Sequence, residues 1–191
     1  MKKQIITIAL LISSLVSFSN TEIKNNYTDN NKKVTVEFKN VKKGHSLTIK
    51  DENGTELYSE TISENGNLSK ILDVTSLDEG NYVIEMDKDY EIVIKRFQVS
   101  PNQVILLSNE EKVIFKPVIR NQENIVMVSK IEFDQEPTQI VIYFENEVIF
   151  SETIKNETLL NRVYKLDAEK KGSYKVFVYN QDRKYSNTFK I

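Results

Sequence analysis

The chain has 191 residues, 26 of them Lys or Arg and 28 Asp or Glu, with one His and neither Cys nor Trp. Zero Cys excludes disulfides, thiolate metal sites and cysteine nucleophiles, and a single His excludes a multi-histidine metal centre. A formal net charge of −2 argues against a surface that tracks nucleic-acid phosphates, while 39% hydrophobic residues are enough for a packed core.

Met1, Lys2 and Lys3 form a short basic start, and an apolar run from Ile5 to Ile12 follows. Ser17 and Ser19 then place small residues at both positions a signal peptidase reads, which predicts a signal peptide over residues 1–19. The apolar segment is shorter than the ~20 residues that cross a bilayer, so no stable membrane span is expected after cleavage. The product is expected to be exported, to the periplasm, the cell surface or the medium. Residues 20–31 (NTEIKNNYTDNN) lack apolar periodicity and read as a disordered leader.

From Lys33 onward short alternating runs predict strands. Residues 34–38 (VTVEF), 47–49 (LTI), 57–62 (LYSETI), 82–86 (YVIEM) and 92–97 (IVIKRF) carry β-branched or aromatic residues at period two. Turn signals separate them at Gly44, Gly54, Gly66 and Gly80, three of these following Lys or Asn. Ala occurs only at positions 9 and 168, so the strongest helix former is nearly absent. The fold class is all-β.

The chain also repeats. Residues 59–62 (SETI) recur as 151–154, and at the same offset of 92 Leu68 meets Leu160, Gly80 meets Gly172, Tyr82 meets Tyr174, Ile84 meets Val176, and Phe97 meets Phe189. Leu47 and Ile49 meet Ile140 and Ile142 at an offset of 93. Repetition of one supersecondary unit accounts for that register. The domain reading is therefore a signal peptide (1–19), a leader (20–31) and two tandem small antiparallel immunoglobulin-like β-sandwich modules, 32–100 and 101–191. Residues 103–107 (QVILL) and 112–119 (KVIFKPVI) are expected to be first strands of the second module, with Pro117 at an edge or bulge.

Residues 47–57 (LTIKDENGTEL), 72–85 (LDVTSLDEGNYVIE) and 94–97 (IKRF) carry a family resemblance, and Leu166, Asp167, 172–176 (GSYKV) and 184–190 (KYSNTFK) repeat it. They resemble the secreted β-sandwich repeats of Bacteroidetes and the C-terminal sorting domain of proteins exported by the type IX secretion system. The resemblance implies export and contact with that secretion machinery. From the residues themselves, Gly80 and Gly172 read as turn glycines before a strand, Tyr82 and Tyr174 as ring-inward strand openers, and Asp73 as an acceptor for turn amides.

Catalytic readings find little support. His45 sits beside Gly44 at a strand start and reads as an exposed turn residue, with Ser46 sent to the opposite face by alternation. The carboxylate pairs Asp51/Glu52, Asp78/Glu79 and Glu110/Glu111 lie in turns, not across a cleft. Asp51, Asn53, Asp87 and Asp89 offer loop oxygens for calcium, without a recognised spacing. Tyr143 and Tyr179 stand out because each neighbours an apolar residue that must face the other way, which makes them a candidate ligand surface. The expectation is a non-catalytic interaction or structural protein with no cofactor and no nucleic-acid partner. A protein or glycan partner, a type IX passenger with a C-terminal sorting domain, and a small carbohydrate- or calcium-binding module stay open as alternatives.

Overall fold

The computed structural model describes residues 32–191. The expected signal peptide and leader lie outside the described residues. Among the described residues fifteen strands are accompanied by a single 3-10 turn at Ser108–Glu110, and no helix is long and apolar enough to cross a membrane. The chain divides into two compact units between Val113 and Ile114.

In the first unit β1 (Lys33–Val41) pairs antiparallel with β4 (Gly66–Asp73). A second sheet runs in the order β3 (Glu56–Thr61), β2 (Ser46–Asp51), β5 (Gly80–Asp87), β6 (Glu91–Val99) and β7 (Val104–Leu106), and β8 (Lys112–Phe115) pairs β6. Alternation sends Val34, Val36 and Phe38 of β1 inward to meet Leu47 and Ile49 of β2 and Tyr82, Ile84 and Met86 of β5, and all are buried in one core. β4, absent from the strands read in the sequence, closes this sandwich. Its inward Leu68 and Leu72 lie in a stretch that opens with Gly66, Asn67, Ser69 and Lys70, which have little β-propensity.

In the second unit β9 (Val118–Gln122), β10 (Ile125–Ile131) and β13 (Leu159–Lys165) form one sheet in the order β13-β10-β9. The other sheet has the order β12 (Glu147–Ile154), β11 (Thr138–Phe144), β14 (Ser173–Asn180), β15 (Arg183–Lys190). Val126, Val128, Ile140, Ile142, Leu160, Tyr174, Val176 and Val178 make its core. The order β12-β11-β14-β15 has the same connectivity as β3-β2-β5-β6, and β10-β13 the same as β1-β4.

The unit boundary differs from the break expected between residues 100 and 101. Ile105 pairs Gln98 and Leu106 pairs Phe97, so residues 104–106 complete the sheet of the first unit and do not start the second. The run 112–119 is likewise split into β8 and β9, with Lys116 and Pro117 between them, since Pro lacks the amide a continuous ladder needs.

An aromatic and lysine face on the second unit

The inward residues explain the paired glycine and tyrosine. Gly80 and Gly172 have φ of 159° and 157°. Tyr82 donates its hydroxyl hydrogen to the carbonyl oxygen of Asp78, and Tyr174 to that of Lys170, both at 2.8 Å. Each ring stacks on a phenylalanine of the next strand, Tyr82 on Phe97 at 5.2 Å and Tyr174 on Phe189 at 5.8 Å between centroids. This is the tyrosine-corner arrangement of immunoglobulin-like sandwiches, in which the hydroxyl ties the strand to the backbone upstream. Burial, foremost, holds both hydroxyls above the ordinary tyrosine range. Asp73 Oδ1 accepts the Thr75 amide at 3.0 Å, as Asp167 Oδ1 accepts that of Glu169.

A half-buried polar cluster also recurs. Lys70 and Tyr58 both reach Glu60 in the first unit. In the second, Arg162 lies 3.6 Å from Glu152, which also accepts the Tyr164 hydroxyl. Burial first, then the neighbouring glutamate, raises both tyrosine hydroxyls. These groups bridge sheet edges and leave no free base.

His45 departs from its expected exposure. It is 6% exposed, with Nδ1 accepting the Lys42 amide at 3.0 Å and Nε2 3.4 Å from Asp89 Oδ1. The backbone amide occupies the lone pair that a general base would need. The turn Lys42–His45 is tight enough to fold the ring inward, an enclosure that alternation alone does not reveal. Asp51 Oδ1 accepts the amides of Asn53 and Thr55, and Asp89 pairs Lys42 Nζ at 2.7 Å. Glu111 pairs Lys95, and the Glu110 carbonyl accepts from Arg96. Asp78, Asp51 and Glu52 act on the Tyr82 hydroxyl as nearby charges. No group of three or more acids or histidines that could hold a metal occurs among the described residues.

The outward side of the second unit is different in kind. On β11 Gln139, Val141 and Tyr143 point outward, on β14 Lys175, Phe177 and Tyr179, and on β15 Lys184, Ser186, Thr188 and Lys190; the register places Tyr143 beside Lys175, Val141 beside Phe177, and Tyr179 between Gln139 and Lys184. Tyr143 meets Phe177 edge-on at 5.5 Å, and Phe177 meets Tyr179 at 5.9 Å. Lys184 Nζ lies 4.0 Å from the Phe177 ring centre and 5.8 Å from that of Tyr179, and Lys175 Nζ lies 5.8 Å from Phe177. An exposed cation–π contact of this sort contributes about 0.5–1 kcal/mol. The rings are half-buried, and Val141 is 7% exposed.

The structure thus brings Tyr143 and Tyr179 into one patch through Phe177, which the sequence reading passed over. The signal was present: with Tyr174, Val176 and Val178 inward, alternation forces Lys175, Phe177 and Tyr179 outward. At the 92-residue offset the first unit has Val83, Glu85 and Asp87 in those places, and Glu85 pairs Lys50 at 2.8 Å. The same strand carries ion-paired charge in one unit and a lysine-flanked aromatic row in the other.

No curated protein matches the chain. Among solved structures, it is similar to the BSP domain of a biofilm associated protein, at 13% identity and a TM-score of 0.30, over 82% of this chain and 27% of that chain, so it spans little more than a quarter of that relative's length. It is also similar to the human OSCAR ligand-binding domain, at 11% identity and a TM-score of 0.25, over 85% of this chain and 92% of that chain. The family model of the secretion system C-terminal sorting domain matches residues 16–100, a span that includes β1 to β6. The family that the sequence resembles is therefore the one whose model matches the first unit.

Proposed function

We propose that the chain is an exported, non-catalytic protein that works by binding, at the cell envelope or outside the cell, through the outer face of its second unit. The observation that carries the reading is the exchange of Glu85 and Asp87 for Phe177 and Tyr179 at matching strand positions. A scaffold that needed only solubility would keep the charges there, since half-buried aromatic rings on an outer sheet face cost solubility and mark interaction surfaces. The engagement of His45 Nδ1 by a backbone amide supports the absence of hydrolytic chemistry. The test is sedimentation of the full chain with washed cell envelopes. The double variant Phe177→Glu and Tyr179→Asp, which imports the acids of the first unit, should stay in the supernatant while the wild type pellets. Equal sedimentation of the two would overturn the reading, as would a hydrolytic activity lost in His45→Gln.

The match over residues 16–100 favours a second role, in export itself. On this reading the chain is a type IX passenger and a sandwich unit engages the secretion machinery. A periplasmic reporter carrying residues 103–191, or residues 20–100, at its C-terminus should reach the medium in a host with that system. Retention of both fusions in the periplasm would defeat it.

A further inference from the structure

We propose that the aromatic and lysine face of the second unit binds an anionic polysaccharide, one whose sugar rings carry carboxylate or sulfate groups; this rests on the binding role argued above and specifies its ligand. Three properties of the face select that chemistry.

The first is charge. The outward positions of β11, β14 and β15 include Lys175, Lys184 and Lys190 and no carboxylate. Among the described residues these lysines have no carboxylate within ion-pair distance, whereas the outward Lys50 of the first unit has its partner in Glu85. A face with cations and no acid is complementary to an anion. The second is the ring row. Tyr143, Phe177 and Tyr179 follow one another at 5.5 and 5.9 Å, a contiguous apolar strip on the outer face of the sheet. Such a strip can take the C–H faces of successive sugar rings, and Lys184, already poised over Phe177 at 4.0 Å, is within reach of an acidic substituent on a ring stacked beside it. The third is the surround. Ser186 and Thr188 on β15 and Gln139 on β11 share this face, and Ser151 and Thr153 pair with its outward residues from β12. Hydroxyl and amide groups both donate and accept, which suits sugar hydroxyls.

Single-stranded nucleic acid also combines stacking with negative charge. A saccharide is favoured because its acidic groups can be spaced along the polymer, whereas a phosphate on every nucleotide demands a longer basic track than three lysines. The hydroxyl surround has no counterpart need in a stacked base.

The experiment is calorimetric titration of the full chain with three polymers of one backbone, namely dextran, carboxymethyl dextran and dextran sulfate, and with oligo(dT). The two charged dextrans should bind, and their ranking identifies whether carboxylate or sulfate is preferred; plain dextran should bind at least about tenfold more weakly, a difference of about 1.4 kcal/mol. Lys184→Gln should weaken binding up to about fivefold, the upper range for an exposed ion pair, and added salt should narrow that gap. Phe177→Glu should abolish it with the far-UV spectrum unchanged. Equal binding of plain dextran would overturn the anionic specificity and leave the binding role standing. Tighter binding of oligo(dT) would overturn it in favour of a nucleic acid. Binding of none of the polymers, or wild-type affinity in both variants, would overturn it outright. The broader binding role fails separately, only if envelope sedimentation is also indifferent to the variants.

Discussion

The hydroxyls of Tyr82 and Tyr174 offer a matched pair of perturbations in two units of one chain. Tyr82→Phe and Tyr174→Phe each remove one hydrogen bond of 2.8 Å to a backbone carbonyl and nothing else. The expected loss is about 0.5–1.5 kcal/mol in each case, the net worth of an ordinary intramolecular hydrogen bond. Removing the ring is another matter. Tyr82→Ala and Tyr174→Ala should cost about 3–5 kcal/mol, as for large-to-small aromatic changes in a core. The second should cost more, because Tyr174 is 1% exposed against 7% for Tyr82 and meets Phe144 at 4.9 Å as well as Phe189. One additional aromatic pair contributes about 0.5–1.5 kcal/mol. Hydrogen exchange read by mass spectrometry in rising urea follows the two units separately, through the amides of β5–β6 and of β14–β15. Each phenylalanine variant should lower protection in its own unit by a similar amount. Neutral phenylalanine variants would show that the hydroxyl bonds contribute nothing, and an alanine variant costing less than about 1 kcal/mol would show that the rings are not core residues.

Two further outcomes follow from places where the units differ. Gly80 and Gly172 share a φ near the edge of the left-handed region, but a Cβ at Gly172 would stand 2.6 Å from Glu145 Oε1 and 2.7 Å from the Phe144 ring, while one at Gly80 would meet nothing nearer than 3.9 Å. Gly172→Ala should therefore destabilise by about 1–3 kcal/mol more than Gly80→Ala, the usual cost of overpacking, read from the urea midpoints of the two variants. The buried pair of Lys130 and Glu132, 2.6 Å apart with side chains 1% and 8% exposed, sits where Phe38 stands in the first unit, each opposite a leucine of the partner strand. Lys130→Met alone should cost about 3–5 kcal/mol by stranding the Glu132 charge, and Lys130→Met with Glu132→Leu should recover most of it in the same denaturation assay. If the double variant is no better than the single one, the pair is a net contributor to stability.

The fold was legible where a single rule governed the residue. Alternation placed Val34, Val36, Ile84 and Met86 in strands, and the structure buries all four. It did not find β4, whose residues Gly66, Asn67, Ser69 and Lys70 are poor strand formers; Leu68 and Leu72 are held there by the ladder with β1 and the core behind it. Nor did it place residues 104–106. Their pattern reads equally well as the end of one sheet or the start of another, and only pairing with Phe97, Gln98 and Val99 decides. His45 was misread for a related reason: its burial depends on Ile62 and Asp89, distant in sequence, closing around a turn. Local patterns carry local periodicity; β4 and His45 are set by partners distant in sequence, and residues 104–106 by a choice of neighbouring strand that periodicity does not encode.

The candidate face shows the converse, a surface property written locally and recognisable only by comparison. Lys175, Phe177 and Tyr179 follow directly from alternation once Tyr174 is known to point inward. Taken alone, an outward Phe-x-Tyr pair is unremarkable, because more than half of a folded surface is apolar in any case. The first unit gives it meaning. There the same scaffold, with the same glycine, inward tyrosine and phenylalanine partner, holds Glu85 and Asp87 outward and matches Lys50 with Glu85. Demands of folding act alike on both units and account for the inward residues of β5 and β14, Tyr82, Ile84 and Met86 against Tyr174, Val176 and Val178, which agree in being apolar and buried. They place no aromatic requirement on the outward positions of β5 or β14, which disagree. A row of rings that folding does not require is the feature on which the proposed binding role rests, and the three lysines beside it, on outward positions without a carboxylate, are what makes the proposed ligand an anion.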